Sequence, residues 1–249
     1  MSLEPLRLAI ISRTRRFCLT YDRAVKFVMV PGGWQGGWAF DLVATELHRD
    51  GHHVEAVTLS GLEMDGPVDV DRPPNLDTHI DQVAEIIDRS GETPLALCGH
   101  SYGGMVIAGV ADRLGDRLDH LVFIDAYVPD DGDSCWSLTS DIFRESFIAG
   151  ARADGRWVAV PDGLDPRARP HPMASFVQSI RLVGNSRPAF GRTFISGGAW
   201  AGSPFVTLTE RLRNSSGWRV HEIPVGHNIA GRDPHGLAAV LGALVPDCA

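Results

Sequence analysis

The 249-residue chain is predicted to be an α/β protein: a mostly parallel central sheet, flanking helices and one inserted helical cap. Three observations carry this prediction. Short apolar runs alternate with amphipathic stretches, the pattern of successive βαβ units. One such run, Pro94-Leu95-Ala96-Leu97-Cys98, enters a Gly-x-Ser-x-Gly turn, Gly99 to Gly103, that opens on the helix-forming stretch Met105 to Ala111. The alternation breaks once, from Pro129 to about Pro188, for a stretch too long to be a plain loop of a compact domain.

The elements follow in chain order. Val25 to Val30 reads as a strand. Trp38 to Leu47 reads as a helix with Phe40, Val43, Ala44 and Leu47 on one face. Val54 to Leu59 is the next strand. Leu76 to Ser90 is a helix, with Asn75 or Asp77 as N-cap and Ile80, Val83, Ala84 and Ile87 turned inward. Leu95 to Cys98 leads into the turn, and the helix after it ends near Gly115. His120 to Ile124 is the following strand. Prolines, glycines, charges and scattered aromatics then build the cap. Beyond it come strand Thr193 to Ile195, helix Pro204 to Leu212, strand Arg219 to Ile223, and a last helix from Asp233 or Pro234 to Leu244. The expected organisation is an N-terminal extension over 1–24, a core over 25–128 and 189–249, and a cap over 129–188.

Composition narrows the function. A net charge of −8 and a pI near 5.6 argue against a nucleic-acid partner. No apolar run approaches the ~20 residues that span a bilayer, so no membrane role is expected. Cys18, Cys98, Cys135 and Cys248 form no Cys-x-x-Cys pair, which argues against a zinc or redox site. No metal or cofactor is expected, and the compartment reads as reducing, hence cytoplasmic. The expected partner is a small molecule, with a homodimer as the one assembly entertained.

The chemistry centres on Ser101 in Gly99-His100-Ser101-Tyr102-Gly103. A strand, a sharp turn and a helix are what a nucleophile elbow requires. Small flanking residues let strand and helix approach, and the helix N-terminus offers N–H groups to an oxyanion. His227 in Gly226-His227-Asn228 is the candidate base. It follows a strand, which puts it on a loop at the carboxyl edge of the sheet, where open α/β folds bind ligands. Imidazole titrates near working pH, as a general base should. His100 is expected to point away from Ser101, and His52 and His53 to lie on the surface. The oxyanion donors are expected to be the N–H of Tyr102, just after the nucleophile, and the N–H of Gly33 in Pro31-Gly32-Gly33-Trp34, with Trp34 as second choice.

Val30-Pro31-Gly32-Gly33-Trp34-Gln35-Gly36-Gly37-Trp38, Gly99 to Gly104, Phe123-Ile124-Asp125-Ala126-Tyr127-Val128-Pro129 and Gly226-His227 together resemble the α/β-hydrolase branch of plant methyl esterases, hydroxynitrile lyases and their bacterial relatives. Pro170-His171-Pro172-Met173-Ala174-Ser175-Phe176 resembles the bacterial members. The likeness runs from Phe27 onward. It implies an eight-stranded core, a small cap and a Ser-His-acid triad. Pro31 stands where the family usually has histidine, a change the backbone role survives.

The acid departs from the pattern. The resemblance places an Asp after the strand that follows the cap, yet Thr193 to Pro204 holds neither Asp nor Glu, and Trp200 falls near the expected place. Asp125 is the best replacement, at the end of the strand His120 to Ile124. Its alternative reading is a turn residue at the entry to the cap. Asp130, Asp131 and Asp133 lie further out along the loop. A lysine-assisted lyase has no support, because Asn228-Ile229-Ala230-Gly231 follows His227 and the first basic residue is Arg232.

Trp34, Tyr127, Trp136, His171 and Phe176 are expected to wall the substrate site, with Tyr102, Phe143 and Phe147, and such walls favour an apolar or aromatic group. The expected activity is serine hydrolysis of a small carboxylic ester, lactone or thioester through an acyl-enzyme. The alternatives are a non-hydrolytic cyclase, decarboxylase or lyase of natural-product metabolism, and a ligand-binding protein with weak turnover.

Overall fold

A computed structural model describes residues 24–65, 71–91, 94–184 and 190–244. The extension expected over 1–24 lies almost wholly outside the described residues. Six strands form the main sheet: β1 (Lys26–Val30), β2 (His53–Ala56), β3 (Leu95–His100), β4 (His120–Ile124), β7 (Gly191–Gly197) and β8 (Arg219–Ile223). Their order is β2-β1-β3-β4-β7-β8 and every pairing is parallel. Among the described residues the sheet therefore has six strands, not the eight that the resemblance implied. β2 is also shorter than expected: pairing stops at Ala56, and the chain then leaves the sheet.

β4 shows why the strands read as unbroken apolar runs. Leu121 and Phe123 enter one hydrophobic cluster, Val122 and Ile124 the opposite one, so both faces are buried. Helices α2 (Leu76–Arg89) and α3 (Gly103–Leu114) cover the first face. Helices α1 (Asp41–Arg49) and α9 (Pro234–Gly242) cover the second.

The helix boundaries have local causes. Asn75 caps α2 through its side chain, which accepts from the Thr78 N–H at 2.9 Å, and the Thr78 hydroxyl answers the Asn75 N–H, a capping box. Asp233 caps α9, with Pro234 at its first position, where a missing N–H costs nothing. The helix expected from Trp38 starts with a 3₁₀ turn, Gly37–Phe40, before α1.

Between β4 and β7 lie α4 (Cys135–Leu138), α5 (Asp141–Gly150), a two-stranded antiparallel ribbon of β5 (Trp157–Val158) and β6 (His171–Pro172), and α6 (Met173–Val177). The segment is thus not purely helical: Pro172 and the short extended runs hold it in a ribbon that periodicity could not reveal. After β7 come α7 (Val206–Arg213), β8 and the one-turn α8 (Ile229–Arg232).

Strand order reverses between β1 and β3, so the loops leaving their carboxyl ends diverge and open a crevice. The glycine-rich turn after β1 and the Ser101 turn after β3 form its two sides.

Candidate active site

Among the described residues, three other than glycine have left-handed backbone: Trp34 (φ 65°), Ser101 (φ 53°) and Asp125 (φ 43°). Each lies on the loop that leaves the carboxyl end of a core strand: Trp34 after β1, Ser101 after β3 and Asp125 after β4. Such conformations cost of order 1–3 kcal/mol each and persist only where the surroundings enforce them.

The enforcement is visible at Ser101. Its N–H continues the sheet ladder to the Ile124 carbonyl at 3.3 Å, and its own carbonyl accepts from Gly104 and Tyr127. The chain can turn this tightly because of its glycines. A Cβ on Gly99 would lie 2.7 Å from the Gly103 carbonyl oxygen, and one on Gly104 would collide with that of Tyr127. Ser101 thereby stands at the start of α3. Its hydroxyl has no hydrogen-bond partner among the described residues, as is common before substrate binds.

His227 and Asp125 meet directly. His227 Nδ1 is 2.7 Å from Asp125 Oδ2. The Asp125 carboxylate is buried, and its Oδ1 accepts the Gly197 N–H at 3.1 Å. Nδ1–H therefore donates to the carboxylate, which leaves Nε2 of a neutral His227 with its lone pair. Asp125 is thus not a free turn residue at the entry to the cap: it bridges the end of β4, the end of β7 and the His227 loop.

His100 borders the same cavity as Ser101 and His227. Its ring packs against that of His227, centroids 4.6 Å apart. Nε2 donates to the His227 carbonyl at 3.0 Å, so His100 supports the loop that carries His227. Burial, and secondarily the nearby His227, push its pKa down to about 3. It stays neutral and adds no charge against an imidazolium at His227. Among the other histidines, His53 is exposed, but His52 is buried and accepts the Val25 N–H.

The cavity has a volume of about 1030 Å³. Gly33, Trp34, Tyr102, Tyr127, Phe143, Phe147 and Phe176 line it with Ser101 and His227. Trp136 and His171 do not. Trp136 packs behind Phe147, and His171 is fully buried beneath Phe176, the rings stacked at 4.1 Å. Trp200 and Phe205 line it as well, unforeseen from the sequence. Trp200 packs against the His227 ring, centroids 4.4 Å apart and planes tilted by 35°. Its one sequence signal is its place in the Thr193 to Pro204 stretch, where the family resemblance puts an acid.

Two N–H groups at the crevice, those of Gly33 and Tyr102, have no protein acceptor among the described residues. Trp34 is not available as the second-choice donor, because its N–H is bonded to His171 Nδ1 at 3.2 Å. No group of His, Cys, Asp and Glu among the described residues is arranged to hold a metal.

Residues 27–240 match the model of the alpha/beta hydrolase family. The chain belongs to the α/β-hydrolase family. It is 32% identical over 239 residues to a carbendazim hydrolyzing esterase from Nocardioides sp. (strain SG-4G), covering 88% of this chain and 98% of that one. Methylesterase 1 of Arabidopsis thaliana is 27% identical over 109 residues, 43% of this chain and 41% of the relative. Among solved structures, an extracellular alpha/beta-hydrolase from a Paenibacillus species superposes with a TM-score of 0.75 at 20% identity, over 90% of this chain and all of that one. Within the α/β-hydrolase family the chain is an esterase-like serine hydrolase. No helix among the described residues is long and apolar enough to cross a membrane.

Proposed function

We propose that Ser101, His227 and Asp125 form the catalytic triad of an esterase whose oxyanion donors are the N–H groups of Gly33 and Tyr102. The 2.7 Å contact between His227 Nδ1 and the buried Asp125 carboxylate carries the proposal. Ser101 Oγ attacks the ester carbonyl while His227 Nε2 takes its proton. The oxyanion that forms is held by the two N–H groups. Collapse of the tetrahedral species expels the alcohol, which receives the proton from His227, and water then releases the acid by the same route. Asp125 holds the imidazole in the accepting tautomer and stabilises its charged form.

The cavity supports a substrate with an apolar or aromatic part, since Trp34, Phe143, Phe147, Phe176 and Trp200 dominate its walls. The relative from Nocardioides is named as an esterase, which supports an ester substrate. Carboxylic esters are the first choice, with lactones and thioesters sharing the chemistry. In this reading residues 129–188 act as the cap and 25–128 with 189–249 as the core. Cys98 and Cys135 are free and buried, which supports a reducing, cytoplasmic location. A non-hydrolytic enzyme draws its support from a missing acid and from Pro31 in the oxyanion loop, and Asp125 at the His227 ring weakens the first of these; Ser101 and His227 argue against an idle binding protein.

The test is labelling by a fluorophosphonate probe alongside turnover of p-nitrophenyl esters. The wild-type protein should label at Ser101. Ser101→Ala and His227→Ala should each lower kcat by about 10⁶-fold, with little further loss in the double variant, because the two act as a unit. Near wild-type turnover in Ser101→Ala would refute the assignment.

A further inference from the structure

Trp34, the residue beside Gly33, is held entirely by the cap segment. Its N–H donates to His171 Nδ1 at 3.2 Å, its carbonyl accepts from the Arg169 N–H at 2.9 Å, and its indole N–H donates to the Val158 carbonyl at 3.0 Å. Every polar atom of this left-handed residue is thus bonded to the segment between β4 and β7.

The tautomer of His171 follows from its partners. The Ser175 hydroxyl donates its one hydrogen to the Pro172 carbonyl at 2.9 Å. Towards His171 it can only accept, so His171 Nε2, 2.9 Å away, carries the proton. Nδ1 is left with its lone pair and accepts the Trp34 N–H. The opposite side of the crevice is held the same way. His79 Nε2 donates to the Ser60 carbonyl at 3.0 Å, and its Nδ1 accepts the Tyr102 hydroxyl at 2.8 Å. The His171 ring lies against that of Tyr102, centroids 4.8 Å apart. Burial drives the pKa of His79 down to about 4 and that of His171 well below the usual range, so both rings are neutral acceptors at working pH.

We propose that His171, with its tautomer set by Ser175, is a positioning residue for the oxyanion hole: it ties up the Trp34 N–H, fixes Trp34 in its left-handed conformation, and leaves the Gly33 N–H as the donor presented to the cavity. This rests on Gly33 and Tyr102 being the oxyanion donors. The cap is then more than a roof over the substrate; it is the scaffold of half the hole. A direct substrate contact by His171 does not fit, since the residue is fully buried and Phe176 stacks across it. Gly33 packs closely under the same ring: a Cβ there would meet Phe176 Cζ at 3.1 Å.

Three variants and one spectrum test this. His171→Leu removes the acceptor at similar bulk. His171→Asn returns an acceptor oxygen near the position of Nδ1. Ser175→Ala removes the group that selects the tautomer. Each is assayed on a p-nitrophenyl ester and for inhibition by a trifluoromethyl ketone, whose serine adduct places an oxyanion in the hole. His171→Leu should lower kcat by about 10²-fold with KM within about twofold, and weaken the ketone by a similar factor, as loss of an oxyanion donor does. His171→Asn should recover most of both losses, and Ser175→Ala should lose several-fold. ¹⁵N NMR of the wild-type protein should show His171 protonated at Nε2 and bare at Nδ1. A raised KM at unchanged kcat, ketone affinity unmoved in His171→Leu, or an Nδ1-protonated ring would each overturn the proposal. Should His171→Leu fail to fold, Ser175→Ala and the spectrum decide it. Full turnover in Ser101→Ala would instead overturn the catalytic reading itself.

Discussion

The ends of β4 and β7 are neighbours with opposite duties. The two strands run parallel in register, Ile124 beside Ile195, and the next residues are Asp125 and Ser196. At β4 the chain leaves the sheet at once. The Asp125 N–H still bonds the Ile195 carbonyl at 2.7 Å, then the backbone turns left-handed and carries the carboxylate to His227. At β7 the chain stays extended for two more residues, with Ser196 and Gly197 paired to Glu222 and Ile223 of β8. Its contribution to the site is an N–H, that of Gly197, donated to the carboxylate that β4 supplies. The two strand ends thus divide the contact: β4 brings the carboxylate to His227 and β7 donates an N–H to that carboxylate. Aspartate suits the β4 end because its short polar side chain tolerates left-handed backbone better than most.

Removing the charge gives the largest expected effect. Asp125→Asn keeps the size and the tolerance for φ 43° but turns an acceptor of the His227 Nδ1–H into an amide that favours the wrong tautomer. Turnover should fall by about 10⁴-fold with the fold intact, as loss of an orienting acid does in serine proteases. Steady-state kinetics beside circular dichroism would check it. A loss under tenfold would mean that β4 and β7 do not differ as described.

A smaller effect is expected from Gly197→Ala, which probes β7 without touching any charge. A Cβ there would lie 3.1 Å from the Val225 carbonyl oxygen and 3.2 Å from that of Gly226. Those groups directly precede His227, so a shift of a few tenths of an ångström reaches the imidazole. Since a displacement of 1 Å near a reacting group costs about 10²-fold, roughly tenfold in kcat is expected here. Unchanged kcat would show that the β7 end does not bear on His227.

These contrasts also explain what was legible beforehand. Ser101 is marked by a local motif, and its strand, turn and helix are contiguous, so short-range sequence carried it. His227 follows from chain order and a Gly-His pair after a strand. Asp125 could be read only as one of two alternatives, because its role depends on how β4 aligns with β7 and on a histidine 102 residues away. His171 was expected on the wall, yet its partner is the backbone of Trp34, 137 residues distant, and no side-chain pattern announces a backbone contact of that range. The ribbon of β5 and β6 has two residues per strand, too few for any periodicity. The inner strands β1, β3 and β4 are legible because burial on both faces writes them as apolar runs, whereas the edge strands β2 and β8 carry exposed polar residues.

The smallest effect should come from Ser196→Ala, at the position beside Asp125 in the sheet. Ser196 is buried, and its hydroxyl donates to the His221 carbonyl of β8 at 3.2 Å. That bond ties β7 to β8 and points away from the acid's task. Its loss should cost stability by about 1 kcal/mol, the net worth of a neutral hydrogen bond, read as a shift of the urea midpoint. Turnover should stay within about twofold, since neither the Gly197 N–H nor the Asp125 carboxylate depends on the hydroxyl. The opposite pattern, kcat down tenfold or more at an unmoved midpoint, would make Ser196 part of the chemistry. The division of labour between the two strand ends would then fail at the residue that lies beside Asp125 in the sheet.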